Sequence, residues 1–125
     1  MPAPDQIQVL TLAEGPELAI VEGPGRAHAV VWPGMGAQLR SMHRIELSAG
    51  ARTIELRHPG EAVYYVISGG GNAIDVDSDQ RHSLRPGAMA HIDGDTGYVL
   101  SAGEEGLLLV GGPAPPDPRL YEGVA

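Results

Sequence analysis

Histidines and tyrosines carry most of the chemistry this chain can offer: there are five of the first (His28, His43, His58, His82 and His91) and four of the second. Imidazole titrates near neutrality and a phenol can give or hold a proton, so a histidine paired with a tyrosine can do acid–base work unaided. The absences are as informative. There is no Cys, and all eight positive charges are Arg. Thiol nucleophiles, thiolate metal sites, disulfides and lysine Schiff bases are therefore excluded. Arg40, Arg52 and Arg57 can receive a carboxylate in bidentate geometry, but beside sixteen Asp and Glu their default role is a surface ion pair. No Gly-x-Ser-x-Gly nucleophile motif occurs. Gly69-Gly70-Gly71 is followed by neither a helix start nor a lysine, so it reads as a turn and not a phosphate loop. Asp75, Asp77, Asp79, Asp93 and Asp95 lack EF-hand spacing and read as solvated edge charges.

The elements that must position these groups are strands. With 18 Gly and 11 Pro in 125 residues, and 42% apolar residues, the composition is that of one compact, β-rich domain. Alternating or β-branched runs fall at about 7–12, 18–22, 27–32, 42–48, 53–57, 62–68, 72–77, 80–84, 88–92, 97–101 and 106–111. Breakers such as Pro33-Gly34, Pro59-Gly60 and Pro86-Gly87 recur roughly every ten residues, the spacing of a sandwich or barrel. The stretch from Gly111 through Pro118 reads as an extended coat or a loose end, because proline does not fit a central strand. In the 42–48 strand His43 falls on the side of Ile45 and Leu47, with Arg44 and Glu46 outside; the face of His91 is not settled by its neighbours.

A net charge of −8 has the wrong sign for a phosphate backbone or an anionic membrane surface, so nucleic acid and membrane are not expected partners. Met1-Pro2-Ala3-Pro4-Asp5 lacks the basic and apolar regions of a leader, and no segment approaches the ~18 apolar residues of a membrane span. The expected location is cytoplasmic.

Residues 50–102 resemble the small, RmlC-like cupins. The first cupin motif runs Gly, five residues, His-x-His, three or four residues, Glu, six residues, Gly. Here Gly50 is followed at those spacings by Leu56-Arg57-His58, then Ala62 at the Glu place, then Gly69. Leu84-Arg85-Pro86-Gly87 resembles the start of the second motif, with Tyr98 where the family's later histidine stands. The resemblance implies an all-β fold, an antiparallel jelly-roll β-barrel. Residues 37–112 would form its core, 1–36 would add N-terminal strands packing on the barrel or on a dimer partner, and 113–125 would be a proline-rich tail.

The usual chemistry of the family does not carry over. Of its four metal-ligand places this chain has Leu56, His58, Ala62 and Tyr98, and neither leucine nor alanine donates to a metal. The resemblance projects His58 and Tyr98 into one cavity, with Tyr64 on the same face as Ala62 and Val66. Metal-free deoxysugar epimerases with cupin barrels use such a His and Tyr as base and acid. The plainer reading is a hydrogen-bonded core histidine beside a buried tyrosine.

Three functions follow as expectations. The first is a metal- and cofactor-independent isomerase, epimerase, cyclase or lyase acting on a small, mostly apolar molecule, with His58 and Tyr98 as the acid–base pair and His43, Leu56, Tyr64 and His91 lining the ligand site. The second is a module or sensor that binds a small ligand without turnover. The third is an atypical metal-dependent cupin using His43, His58 and His91. A homodimer is expected, because barrels rich in strand edges hide them by pairing.

Overall fold

In a computed structural model, which describes residues 6–11 and 15–124, about half of the chain is strand and about 6% helix. Among the described residues, nine strands form a nearly closed antiparallel barrel. They are β1 (Glu17–Leu18), β2 (Val21–Glu22), β3 (Gly25–Val31), β4 (Met42–Leu47), β5 (Arg52–Thr53), β6 (Glu61–Asp75), β7 (Arg81–Leu84), β8 (Met89–Ile92) and β9 (Tyr98–Ala114). Single turns of 3-10 helix occupy Pro33–Met35 and Pro118–Tyr121.

Two long strands organise the jelly roll. The second half of β9 lies between β4 and the first half of β6, which carries β8 on its far edge. The first half of β9 lies between β5 and the second half of β6, which carries β7. β6 and β9 thus run through both walls and bend between them, and β6 shifts register between Val66 and Ser68 and again between Gly69 and Gly71. The bend requires glycine. Gly69 and Gly106 have φ of 78° and 76°, and a Cβ on Gly69 would collide with the carbonyl of Gly106 on the neighbouring strand. The triplet Gly69-Gly70-Gly71, expected as a turn, is therefore a bulged corner inside one continuous strand.

Alternation sets the faces. In β6, Ala62, Tyr64 and Val66 are buried while Val63, Tyr65 and Ile67 face outward; in β4, His43, Ile45 and Leu47 are buried and Glu46 is exposed. The core is completed by Leu18, Ile20, Leu100, Leu107 and Leu109 from both walls.

Three other expectations are corrected. Residues 7–11 of the expected 7–12 strand form no strand, and residue 12 lies outside the described residues. The 53–57 strand shrinks to β5 plus an isolated bridge between Leu56 and Tyr98. The start of the segment after Gly111 is not a coat or a loose end, because β9 continues through Pro113 to Ala114. Proline is tolerated there because the ladder with β4 has ended at Gly111, so the missing N–H falls beyond it; the Pro113 carbonyl on the same side accepts from the Ser41 N–H (3.1 Å) and hydroxyl (2.7 Å).

Candidate functional site

His58 and Tyr98 are brought together by backbone before their side chains meet. Leu56 and Tyr98 exchange both N–H···O bonds, each 2.8 Å, and the Asp95 N–H donates to the His58 carbonyl at 2.7 Å. Leu56 is thereby a buried wall of the site rather than a ligand to anything polar. Within this frame His58 Nε2 lies 2.7 Å from the Tyr98 hydroxyl, which lies 2.6 Å from the Tyr64 hydroxyl. All three side chains are buried, none more than 3% exposed.

The other face of His58 is engaged by a residue the sequence did not single out. After β9 the chain folds back over the barrel, and Asp117 Oδ2 lies 2.8 Å from His58 Nδ1. Asp117 also caps the 3-10 turn that follows, accepting from the Arg119 N–H at 3.1 Å, and the Arg119 guanidinium donates to both its oxygens, at 3.2 and 2.9 Å. Burial alone would push the Asp117 carboxyl up, but the hydrogen bonds from Arg119 and His58 outweigh it and hold its pKa at about 2. The usable signal in the sequence was local: an Asp followed directly by Pro, the pattern of a cap with proline in the first turn.

Ionised Asp117 can only accept, so His58 Nδ1–H donates to it. In the neutral form of the ring, Nε2 is then an acceptor for the Tyr98 O–H; Tyr98 has spent its hydrogen, and Tyr64 donates to Tyr98. Burial, the neighbouring Tyr64 and the Asp117 charge raise the Tyr98 pKa far above that of a free phenol, and burial likewise raises Tyr64. The resting cluster therefore holds two protonated phenols in a directed chain that ends on an ionised carboxylate.

His43 is fully buried on β4 and belongs to a neighbouring contact. Its Nε2 lies 2.7 Å from the hydroxyl of Tyr121, which stacks on Trp32 at 5.2 Å between ring centres. Its Nδ1 is buried without a partner. Burial, reinforced by the nearby His58, lowers the His43 pKa to about 4.

His91 is not part of either group. It pairs in register with outward-facing Val63, so its side chain stands on the outer surface, 2.9 Å from Glu61 and 3.8 Å from Asp93. His43, His58 and His91 consequently do not converge, which corrects the metal set expected from them. The metal places of the cupin pattern do not fit an ion either: Leu56 and Ala62 have no donor, His58 has both ring nitrogens engaged, and Tyr98 is held protonated. Among the described residues, the one group of three His, Asp or Glu side chains whose donor atoms lie within 4.8 Å of one another is Glu61, His91 and Asp93.

Two clefts are lined by members of the buried chain. One, of about 390 Å³, opens between β6, β7 and β8 and is lined by Ala73, Ala90, Ile92 and Tyr98 together with His82, His91 and Asp93. The other, of about 510 Å³, is lined by Ile20, Leu56, His58, Asp117 and Leu120. No helix among the described residues is long and apolar enough to cross a membrane.

No protein-family model and no curated protein sequence matches the chain. Solved structures do match it in fold. A Thermotoga maritima protein described as a predicted oxalate decarboxylase superposes with a TM-score of 0.68 at 20% identity, covering 83% of this chain and 96% of the other. An RmlC-like cupin from Shewanella frigidimarina gives 0.67 at 15% identity, covering 87% and 92%. The polyketide cyclase RemF of Streptomyces resistomycificus gives 0.63 at 17%, covering 91% and 83%. The chain therefore has a jelly-roll barrel similar in fold to the RmlC-like cupins, with Leu56, Ala62 and Tyr98 at three of the four places where the cupin pattern carries metal ligands.

Proposed function

We propose that this barrel binds a small organic molecule in the cleft that Tyr98 lines and moves a proton to or from it through Tyr98 and His58. The observation that carries this reading is the buried chain Tyr64–Tyr98–His58–Asp117, in which a tyrosine that lines a cleft is hydrogen-bonded to a base with a carboxylate behind it. A cleft of about 390 Å³ falls in the range of small-molecule sites, and its mixed apolar and polar lining suits a compact ligand with one or two polar groups.

The chemistry is a relay. When a ligand presents an acidic C–H or O–H to Tyr98, the phenol oxygen takes that proton as its own proton passes to His58 Nε2. The imidazolium so formed donates through Nδ1–H to Asp117, which Arg119 keeps ionised; the Tyr64 hydroxyl donates to the Tyr98 oxygen while charge passes through it. Run in reverse, Tyr98 delivers its proton to the ligand while taking one from His58. Both directions conserve protons and leave Tyr98 protonated at rest, as its raised pKa requires. Isomerisation, cyclisation, epimerisation and elimination each include such a transfer. The cupin fold accommodates this class of work, since one protein of similar fold is a polyketide cyclase.

A second reading, binding without turnover, is favoured by one feature: His58 and Tyr98 satisfy each other and are at most 3% exposed. Incubating a panel of small hydroxy, keto and enol compounds in D2O and following their C–H signals by NMR separates the two. A relay washes deuterium into a bound compound, and Tyr98→Phe or His58→Gln slows the exchange by about 10²–10⁴-fold. Binding with no exchange above the protein-free rate would establish the second reading.

A further inference from the structure

The rim of the Tyr98 cleft carries a cluster the relay does not use. Glu61 opens β6, His91 lies on β8, and Asp93 follows directly after it. The pairing of Ala62 with Ile92 and Val63 with His91 puts Glu61 opposite Asp93, with His91 diagonal to Glu61 on the same outer face. Like charges facing each other across a ladder cost stability. A chain of net charge −8 does not relieve this pair with arginine: among the described residues, the one partner within salt-bridge distance of either carboxylate is His91 itself.

We propose that Glu61, His91 and Asp93 bind one divalent transition-metal ion of the Zn²⁺, Ni²⁺ or Cu²⁺ type at the outer edge of the cleft. One imidazole and two carboxylates form a borderline donor set, which suits these ions better than the all-oxygen set that Ca²⁺ or Mg²⁺ prefers. Metal–ligand bonds of about 2.0–2.2 Å put tetrahedral ligand atoms roughly 3.3 Å apart. One donor atom from each of the three side chains lies within 4.8 Å of the other two; the shortest contacts use the two edges of the imidazole, Nε2 to Glu61 at 2.9 Å and Nδ1 to Asp93 at 3.8 Å, so the ring has to turn one nitrogen toward both carboxylates to close on an ion. Side-chain exposures of 55%, 61% and 86% leave the rotamers free to close on an ion, while the backbone beneath is fixed. The β8–β9 turn is tied to the β5–β6 loop by the Asp95 N–H to His58 carbonyl bond, and Gly94 sits so close to the Pro59 carbonyl that no side chain fits between.

Three protein donors leave at least one coordination position open. His91 and Asp93 also line the cleft, so an ion held by them borders that space and can take a carboxylate or a hydroxy-acid group of a ligand in the open position. The metal site stands independently of the relay, and no step of the relay passes through it.

The test is calorimetric titration of Zn²⁺ and Ni²⁺ into the untagged, chelator-stripped full chain, with Ni²⁺-induced broadening of histidine ring NMR signals to locate the ion. One equivalent is expected, with the His91 signals broadened first. His91→Ala, and separately the double variant Glu61→Gln/Asp93→Asn, should each weaken binding by about tenfold or more, while His82→Ala leaves it unchanged. The variants change exposed side chains, and unaltered circular dichroism would show that they fold. Absence of binding, several weak equivalents that persist in His91→Ala, or a loss caused by His82→Ala would each overturn the site.

Discussion

Two histidine–carboxylate contacts of nearly equal length, His58 with Asp117 at 2.8 Å and His91 with Glu61 at 2.9 Å, mean different things in this barrel. The first pair is 2% and 3% exposed, and every polar atom of it is answered: Tyr98 on one side, Arg119 on the other. The second is more than half exposed and faces another carboxylate. Burial decides which contact fixes a protonation state and which stays open to an incoming ion. A buried, saturated histidine is a poor ligand and a good relay. An exposed, electrostatically crowded one is the reverse.

The largest expected effect tests the interior side of this comparison. Asp117→Ala strands the His58 N–H in a dry site and should cost about 3 kcal/mol by urea unfolding. A cost under about 0.5 kcal/mol would mean that the tail does not clamp His58.

Acid should act next. The folded pKa of His43, at about 4, lies below its ordinary 6.5, so the folded state resists a proton that the unfolded chain accepts. Stability is then full above pH 6.5 and falls as pH drops toward 4, by an amount on the order of 3 kcal/mol. Asp117, ordinarily 3.8 and held at about 2, adds a further loss as pH falls through that lower window. Unfolding curves at pH 7 and 4.5 should differ accordingly, and His43→Gln should flatten the difference; a slope that persists in the variant would assign it to another group.

Tyr98→Phe removes the hydroxyl that joins Tyr64 to His58 and should cost about 2 kcal/mol while leaving the circular dichroism spectrum unchanged. At the rim, Glu61→Gln in metal-free protein should change stability by under about 0.5 kcal/mol, since exposed pairs contribute little. An effect as large as that of Tyr98→Phe would erase the distinction between the two clusters.

The parts of this architecture legible in the sequence are those with a short period. Alternation placed His43 with Ile45 and Leu47, and Tyr64 with Ala62 and Val66. The spacing from Gly50 through His58 to Gly69 carried the barrel type. Positions that depend on long-range pairing were less legible. Gly69-Gly70-Gly71 looks alike as a turn or as a bulged corner, because both need a positive φ; the choice is made by β9 lying alongside. The proline-rich tail reads as a coat because composition reports local stiffness, whereas Asp117 meets His58 across 59 residues and Tyr121 meets His43 across 78. The face of His91 waited on the register of β8 against β6, which no pattern in MAHI reveals.

In the proposed relay, His58 stands between Asp117 and Tyr98, donating to the first and accepting from the second. Nitrogen-15 NMR of the histidine rings at neutral pH tests it without any ligand. His58 should carry its proton on Nδ1, with Nε2 showing the shift of a hydrogen-bonded acceptor that moves toward a free nitrogen in Tyr98→Phe. A proton on Nε2 with bare Nδ1, or an Nε2 shift indifferent to Tyr98→Phe, would contradict the relay.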